Sequence, residues 1–355
     1  MAAEPKGDAG KAGAGPWRLA LRRLRRNRVA LAFGGLFVLI VLFVLAAPLW
    51  ANHVAHTSPN KTHTLERIEV GGEKREVVTP EGTPIGPQWF GAGGKFFLGA
   101  DSRLGRDEMV RLMYGGRVSL LVGIASALIS VLVATLLALL AGYYRGWVDP
   151  LISRGLDVLW AFPVFLLSIA LGVALAVGGL EVLGVHISGG SLWIPILIIS
   201  FVTIPYVARP LRGEVLALRE KDFVEAAVAQ GAGPLRIMFS EILPNLLSTI
   251  IVFFTLGVAN NMLIEAGLSY LGVGVQPPNS SWGTMIATGS KLITSDPLLT
   301  IIPGTMILLT VLALNIVGDG LRDALDPKSK VRFEAHAGVA ATGAAGTAGL
   351  EELGR

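Results

Sequence analysis

The sequence predicts an all-α integral membrane protein with six transmembrane helices and a small extracytoplasmic β-hairpin element. Three observations predict this. Apolar residues make up 52% of the chain and charged residues 16%, with a mean hydropathy of +0.61, well beyond what a soluble core requires. Six charge-free runs each reach the length of about 20 residues that a hydrocarbon layer of ~30 Å demands. Finally, lysines and arginines gather at one set of boundaries between those runs.

The six runs are Val29–Trp50, Val118–Tyr144, Val158–Leu180, Val182–Ala208, Ile242–Ile264 and Pro297–Gly318. His186, Gly189 and Gly190 weaken the start of the fourth, which moves its expected beginning toward Ser191. Residues 1–16 are Gly/Ala/Lys-rich and expected to be disordered. Arg18, Arg22, Arg23, Arg25, Arg26 and Arg28 then precede the first run. That run is too long for the apolar core of a signal peptide, and no cleavage site follows it. The positive-inside rule accounts for the cluster better than nucleic-acid binding does, so no nucleic-acid partner is expected. It places the N-terminus in the cytoplasm, and six crossings return the C-terminus to the same side. Arg145, Arg154, Arg209, Arg212, Arg219, Lys221, Arg236, Arg322, Lys328 and Lys330 all fall on that side. The resulting segments are a basic N-terminus 1–28, a first helix 29–50, an extracytoplasmic segment 51–117, a five-helix core 118–320 and a tail 321–355. The tail is Ala/Gly-rich and expected to be disordered from about 331.

The outer segment 51–117 dissents, because it carries nine lysines and arginines, with Arg103, Arg106, Arg111 and Arg117 close to the second run. Its length exceeds the roughly 60 residues over which the rule operates. Within it, Glu66–Val70 and Glu73–Val78 flank Gly71 and Gly72, the signature of a hairpin with a tight turn. Pro163, Pro195 and Pro205 read as kinks within spans. Asp149, Arg154 and Asp157 read as solvated or paired groups at a cytoplasmic boundary. Ala266–Ser290 is also uncharged, but its glycines, prolines and polar residues make it an outer-face segment rather than a seventh span, with Trp282 near the interface.

Between the fourth and fifth runs lies a polar, punctuated stretch, residues 213–245. Its first half reads as a helix through Gln230, which Gly231-Ala232-Gly233 breaks. Pro234 suits the first position of a second helix. Leu235, Met238, Phe239 and Ile242 follow as one apolar stripe, and Pro244 is expected to close that helix. Small Ala226, Ala227 and Ala229 beside Glu225 would let the surface approach another protein closely, with one carboxylate left to accept a hydrogen bond.

Glu225-Ala226-Ala227, then Gly231, then Ile242-Leu243-Pro244 resembles the EAA loop of ABC-importer permeases. Leu98-Gly99-Ala100-Asp101 through Gly105-Arg106-Asp107, Arg111, Tyr114-Gly115 and Arg117 is similar to the signature ahead of the second span in dipeptide and oligopeptide permeases. Ala100 and Ser102-Arg103 depart from it. Glu265 to Gly272, Gln276-Pro277-Pro278, Ser281-Trp282-Gly283 and Gly318 to Pro327 resemble the same subfamily. The resemblance implies a type I ABC-importer permease fold in the bacterial inner membrane. It implies that Glu225, Ala226, Ala227, Gly231, Ile242, Leu243 and Pro244 couple the chain to an ATPase. The implied partners are a second permease subunit in a heterodimer, two ATP-binding subunits, an extracytoplasmic peptide-binding protein and the lipid bilayer. The implied cargo is a di- or oligopeptide, or another substrate of the group such as nickel.

The chemistry of an enzyme is missing from the sequence. Gly93-Gly94-Lys95 precedes Phe96, where a phosphate loop needs a hydroxyl for Mg²⁺. His53, His56 and His63 lack the fixed spacing of a metal site, and there is no cysteine. No catalytic residue, cofactor or metal is therefore expected in this chain, and ATP hydrolysis is expected on a partner. A membrane-embedded enzyme would need paired catalytic groups. An ion-driven secondary transporter usually needs ionisable residues within its spans, and the six runs contain no Asp, Glu, Lys or Arg.

Overall fold

The structure is a computed structural model that describes residues 21–325 apart from 71, 90–92, 102, 103 and 183. Both expected disordered termini lie largely outside the described residues. Among the described residues, five helices are long and apolar enough to cross a bilayer, and a bent pair brings the count to six if it is taken as one span.

Helix α1 (Arg28–Leu45) begins where the Asn27 side chain accepts a hydrogen bond from Ala30 N at 3.1 Å. The first run was expected to continue to Trp50, but it breaks at Ala46, and α2 (Ala47–His53) starts with Pro48 in its first turn. Arg117 caps the end of α1: its Nε donates to Val44 O at 3.0 Å and an Nη to Leu45 O at 2.7 Å. Arg106 pairs with Asp101 at 2.5 Å, and Arg111 lies 4.0 Å from Glu108. The outer arginines that weighed against the topology are thus built into the fold, with Arg103 outside the described residues.

The expected hairpin forms from β1 (Arg67–Val70) and β2 (Glu73–Glu76), antiparallel with Val70 opposite Glu73. Its Ile68 joins Val77, Ile85, Phe96 and Ala100 in a small outer core. His63, which the sequence places in a polar loop, is buried. Its ring contacts Thr57 Oγ1 at 2.8 Å through Nε2 and Glu66 through Nδ1. Asp107 joins this core to the bundle: Oδ2 accepts from Phe96 N at 2.7 Å, while Oδ1 accepts from Val110 N at 3.0 Å. The second contact is the N-cap of α3 (Glu108–Tyr144), a 37-residue helix at the centre of the fold.

The third run differs most from expectation. Val158–Leu180 is not one helix but the end of α4 (Val148–Trp160) and α5 (Val164–Gly178), which meet at 86°. Pro163 is the cause: it offers no N–H to continue the ladder and disfavours helical backbone at Phe162. An unforeseen second hairpin follows, β3 (Leu180–Val182) with β4 (Val185–Ile187), where the fourth run was first placed. Helix α6 (Trp193–Arg219) then begins close to the weakened start read from sequence and retains Pro205 and Pro210 inside. It packs along α3 and leads into the polar stretch, which contains α7 (Asp222–Ala229) and α8 (Pro234–Arg236).

Beyond that stretch, α9 (Leu243–Tyr270) packs on α3 and on α11 (Leu298–Leu325). Between them, α10 (Trp282–Gly289) has only eight residues and cannot cross a bilayer. Trp282 lies inside the chain rather than on its surface. It is fully buried, its indole N–H donates to Leu112 O at 2.9 Å, and a Cβ at Gly116 would sit 2.6 Å from its ring.

Candidate functional site

The polar stretch forms a loop standing on a small apolar cluster. Val224, Ile237, Met238, Ile242 and Leu246 pack with Leu139 of α3 and Val215 of α6. Burying each such side chain stabilises the base by about 1.5–3 kcal/mol. The first helix does not run unbroken to Gln230: it stops at Arg219, turns at Glu220 and Lys221, and restarts as α7. Gly231 then takes φ +78°, a left-handed angle that a β-branched residue resists.

Pro244 does not close the second helix. Residues Ile237–Ile242 widen into a π turn, in which Leu243 N–H donates to Met238 O, and the helix runs on as α9. An α-helical turn would drive the Pro244 ring against the carbonyl four residues earlier, and the wider turn relieves that clash. Asn245 Nδ2 donates to Glu241 O at 2.7 Å beside it. The π turn also splits the apolar stripe. Met238 and Ile242 are buried, whereas Leu235 and Phe239 are exposed.

The residues singled out from sequence therefore separate into two groups. Glu225, Ala226, Gly231 and Pro244 face outward, Ala227 and Leu243 are half-buried, and Ile242 is fully buried and supports the loop from beneath. The Glu225 carboxylate makes no hydrogen bond or ion pair among the described residues. On the same loop, Phe223, Val228, Leu235 and Phe239 are exposed large apolar side chains. Sequence reasoning missed Phe223 and Val228, whose outward direction depends on the restart of α7 at Asp222. Two ion pairs and a hydrogen bond staple the base: Arg212 grips Asp149 in a fork at 2.5 Å, Arg145 reaches Glu220 at 2.6 Å and the Thr249 hydroxyl donates to Glu214 at 3.0 Å. The Arg212 contact holds the Asp149 carboxyl below its usual range.

The end of the bundle away from this loop holds a polar network of a different kind. Helix α9 extends past the expected end of the fifth run and takes Glu265 into the interior. Ser119 Oγ donates to one carboxylate oxygen at 3.0 Å and Ser269 Oγ to the other at 2.6 Å. The same hydroxyl oxygens accept from Trp282 N at 3.2 Å and Val275 N at 3.0 Å, so Glu265 ties α3, α9 and the following loop together. Among the described residues no three His, Cys, Asp or Glu side chains converge to hold a metal.

Comparison with known proteins places both regions in context. Residues 134–331 match the family described as binding-protein-dependent transport system inner membrane component. Residues 15–65 match the N-terminal TM domain of oligopeptide transport permease C. The glutathione transport system permease protein GsiD of Pectobacterium atrosepticum is 38% identical over 315 residues, 89% of this chain and 92% of the relative. The dipeptide transport system permease protein DppC of Alkalihalophilus pseudofirmus is 38% identical over 315 residues, 89% of this chain and 91% of the relative. A di/tripeptide transport system permease protein DppC of Pseudomonas aeruginosa is 38% identical over 300 residues, 84% of this chain and 88% of the relative. The chain belongs to the inner-membrane components of binding-protein-dependent transport systems: it is an ABC-importer permease subunit, not an enzyme, with a substrate-binding protein and an ATPase among the partners of its system.

Proposed function

We propose that this permease imports short peptides, from dipeptides to oligopeptides, and that the loop at residues 213–245 transmits ATP-driven movement from a separate ATPase. One observation carries the coupling reading: an unpaired Glu225 carboxylate and small Ala226 share one loop with exposed Phe223, Val228, Leu235 and Phe239. Exposed apolar side chains rimmed by polar groups mark a protein-docking surface. The carboxylate supplies a hydrogen-bond acceptor within it. The relatives named for dipeptides, di/tripeptides and glutathione support a short peptide as cargo.

In this reading the chain forms half of the translocation path beside a second, non-identical permease subunit. Two ATP-binding subunits close on ATP and push the two loops, and the spans rock between outward- and inward-facing states. ATP biases that equilibrium only through contacts that differ between the states. Both termini lie in the cytoplasm. Impermeant thiol reagents test this directly, because the chain has no cysteine. A cysteine introduced between residues 60 and 80 should label from outside, and Ser329→Cys should not.

The coupling reading is tested with Gly231→Val and Glu225→Ala in the assembled transporter. A β-branched residue at φ +78° costs roughly 1–2 kcal/mol locally and misdirects α7 and α8. Loss of Glu225 leaves its partner's donor unpaired, at about 1–3 kcal/mol if that contact is buried. Both variants should insert and assemble, yet lose peptide-stimulated ATP hydrolysis, the glycine variant more severely. Ser280→Ala on the outer face serves as the control. Wild-type transport and ATPase stimulation in both loop variants would reduce the loop to a connector.

A further inference from the structure

We infer that helix α4 (Val148–Trp160) is an interfacial arm seated in the cytoplasmic leaflet, with Arg154 engaging anionic phospholipid headgroups. The inference rests on the chain being a membrane permease and, for the choice of leaflet, on the proposed cytoplasmic placement of both termini, but on neither its cargo nor its coupling loop.

The arm has two opposite faces. At 3.6 residues per turn, Trp147, Leu151, Arg154 and Val158 fall on one side. Trp147 is 76%, Leu151 64% and Val158 61% exposed, and the Arg154 side chain is 84% exposed. The opposite side carries Asp149, Ile152 and Leu156. These anchor the arm to α6 through the Arg212 fork and through a cluster with Val207, Ala208 and Leu211. At the far end Arg209 stacks 3.6 Å above the Trp160 ring and pairs with Asp157 at 2.5 Å. The exposed stripe is therefore turned away from the chain's own bundle by contacts that fix its direction.

Three further features select lipid as what covers that stripe. The arm meets the apolar helix α5 at 86°, so where α5 enters the bilayer the arm lies along its surface. Helix α5 has 15 residues, about 22 Å of helix, which falls short of a hydrocarbon layer of ~30 Å. An arm sunk about 5–10 Å below the headgroups supplies the missing depth. Trp147 stands at the start of the arm on the exposed stripe, as side chains of the membrane–water boundary do. The stripe also carries a cation and no carboxylate, complementary to a leaflet of negative surface potential. Arg154 keeps only a distant contact, 3.9 Å to Asp157.

A bimane probe on Leu151→Cys tests this, in the assembled transporter with partner subunits freed of reactive thiols. Nanodiscs would contain brominated phosphatidylglycerol or brominated phosphatidylcholine at equal mole fraction. Both lipids should quench the probe, iodide in the water should not, and the phosphatidylglycerol should quench about fivefold more effectively, as one arginine near an anionic surface allows. Adding Arg154→Gln should bring the two lipids toward parity while quenching by both persists, which also shows that the arm is still seated. Quenching by iodide would overturn the proposal, since it places the stripe in water. Protection from lipid and iodide alike would overturn it in favour of a protein cover such as a second permease subunit. Equal quenching by the two headgroups in the unmodified arm would remove the role of Arg154.

Discussion

The end of the bundle at Glu265 and Trp282 and the loop at residues 213–245 use the same kinds of residue to opposite ends. At the first, Trp282 is buried with its N–H bonded, Glu265 accepts from two serines, and Asp107 accepts from both the small hairpin core and the first turn of α3. At the second, Glu225 is unpaired among the described residues, and Phe223, Val228, Leu235 and Phe239 face outward. A buried polar group must find its partners within the chain or lose free energy. An exposed loop escapes that demand and can keep its donors, acceptors and apolar area for another protein. The end at Glu265 and Trp282 is thus complete in itself, whereas the proposed coupling role would complete the loop only on docking.

That contrast can be broken most forcefully at Trp282. Trp282→Ala should destabilise the subunit by about 3–5 kcal/mol, read as a fall in the thermal unfolding of the purified protein. An unchanged unfolding temperature would mean that this end is not a locked core. Glu265→Ala should come next, because it leaves the Ser119 and Ser269 hydroxyls without their acceptor, at about 1–3 kcal/mol. Glu265→Gln, which keeps an acceptor oxygen, should recover part of that loss.

A smaller and pH-dependent effect belongs to Glu66. Burial raises its pKa, but hydrogen bonds from His63 and Lys95 outweigh burial and leave it below the ordinary value of 4.5. With a folded pKa lower than the unfolded one, its contribution is fully present above about 4.5 and is lost as pH falls through the folded value. Protection factors at residues 66–78, which remove the intrinsic pH dependence of amide exchange, should fall across that acidic window, and Glu66→Gln should flatten the dependence. The smallest change in stability is expected in the loop. Leu235→Ser and Phe239→Ser should stay within about 0.5 kcal/mol of wild type while weakening capture of the ATPase in a pull-down. A large loss of stability there would show that these side chains are core after all.

Much of this architecture is legible in the chain, and what is hidden has a common cause. Charge-free runs disclose the long helices, because lipid excludes unpaired charge along a whole crossing. Gly71-Gly72 between two alternating runs discloses the β1–β2 hairpin. Proline is harder to read. Pro163 separates two helices, Pro205 and Pro210 stay inside one, and Pro244 is absorbed by a π turn. Composition is similar in each case; neighbours able to satisfy the freed carbonyl or accept a bend decide the outcome, and they are distant in sequence. Trp282 is hidden for the same reason, since its cavity is made by Gly116, 166 residues earlier. The restart of α7 at Asp222 follows from Lys221 leaving helical geometry, which good helix formers on either side conceal. The loop's motif was visible, but which of its residues face outward was not: Ile242 and Phe239 are both apolar, and only the π turn separates them.

Helix α3 has a mechanical consequence. Its 37 residues make a rod about 55 Å long, well beyond the bilayer's ~30 Å core. Its first turn is bonded through Asp107 to the outer core, and its inner part lends Leu139 to the cluster beneath the loop. Among the described residues it carries no proline and no internal break, so it acts as a lever. A tilt of about 5° about its midpoint carries each end through about 2.4 Å for a rod of that length. On the proposed coupling reading, a push at the base of the loop would reach the Asp107 end of α3 as a displacement comparable to a hydrogen bond's length, in the opposite direction.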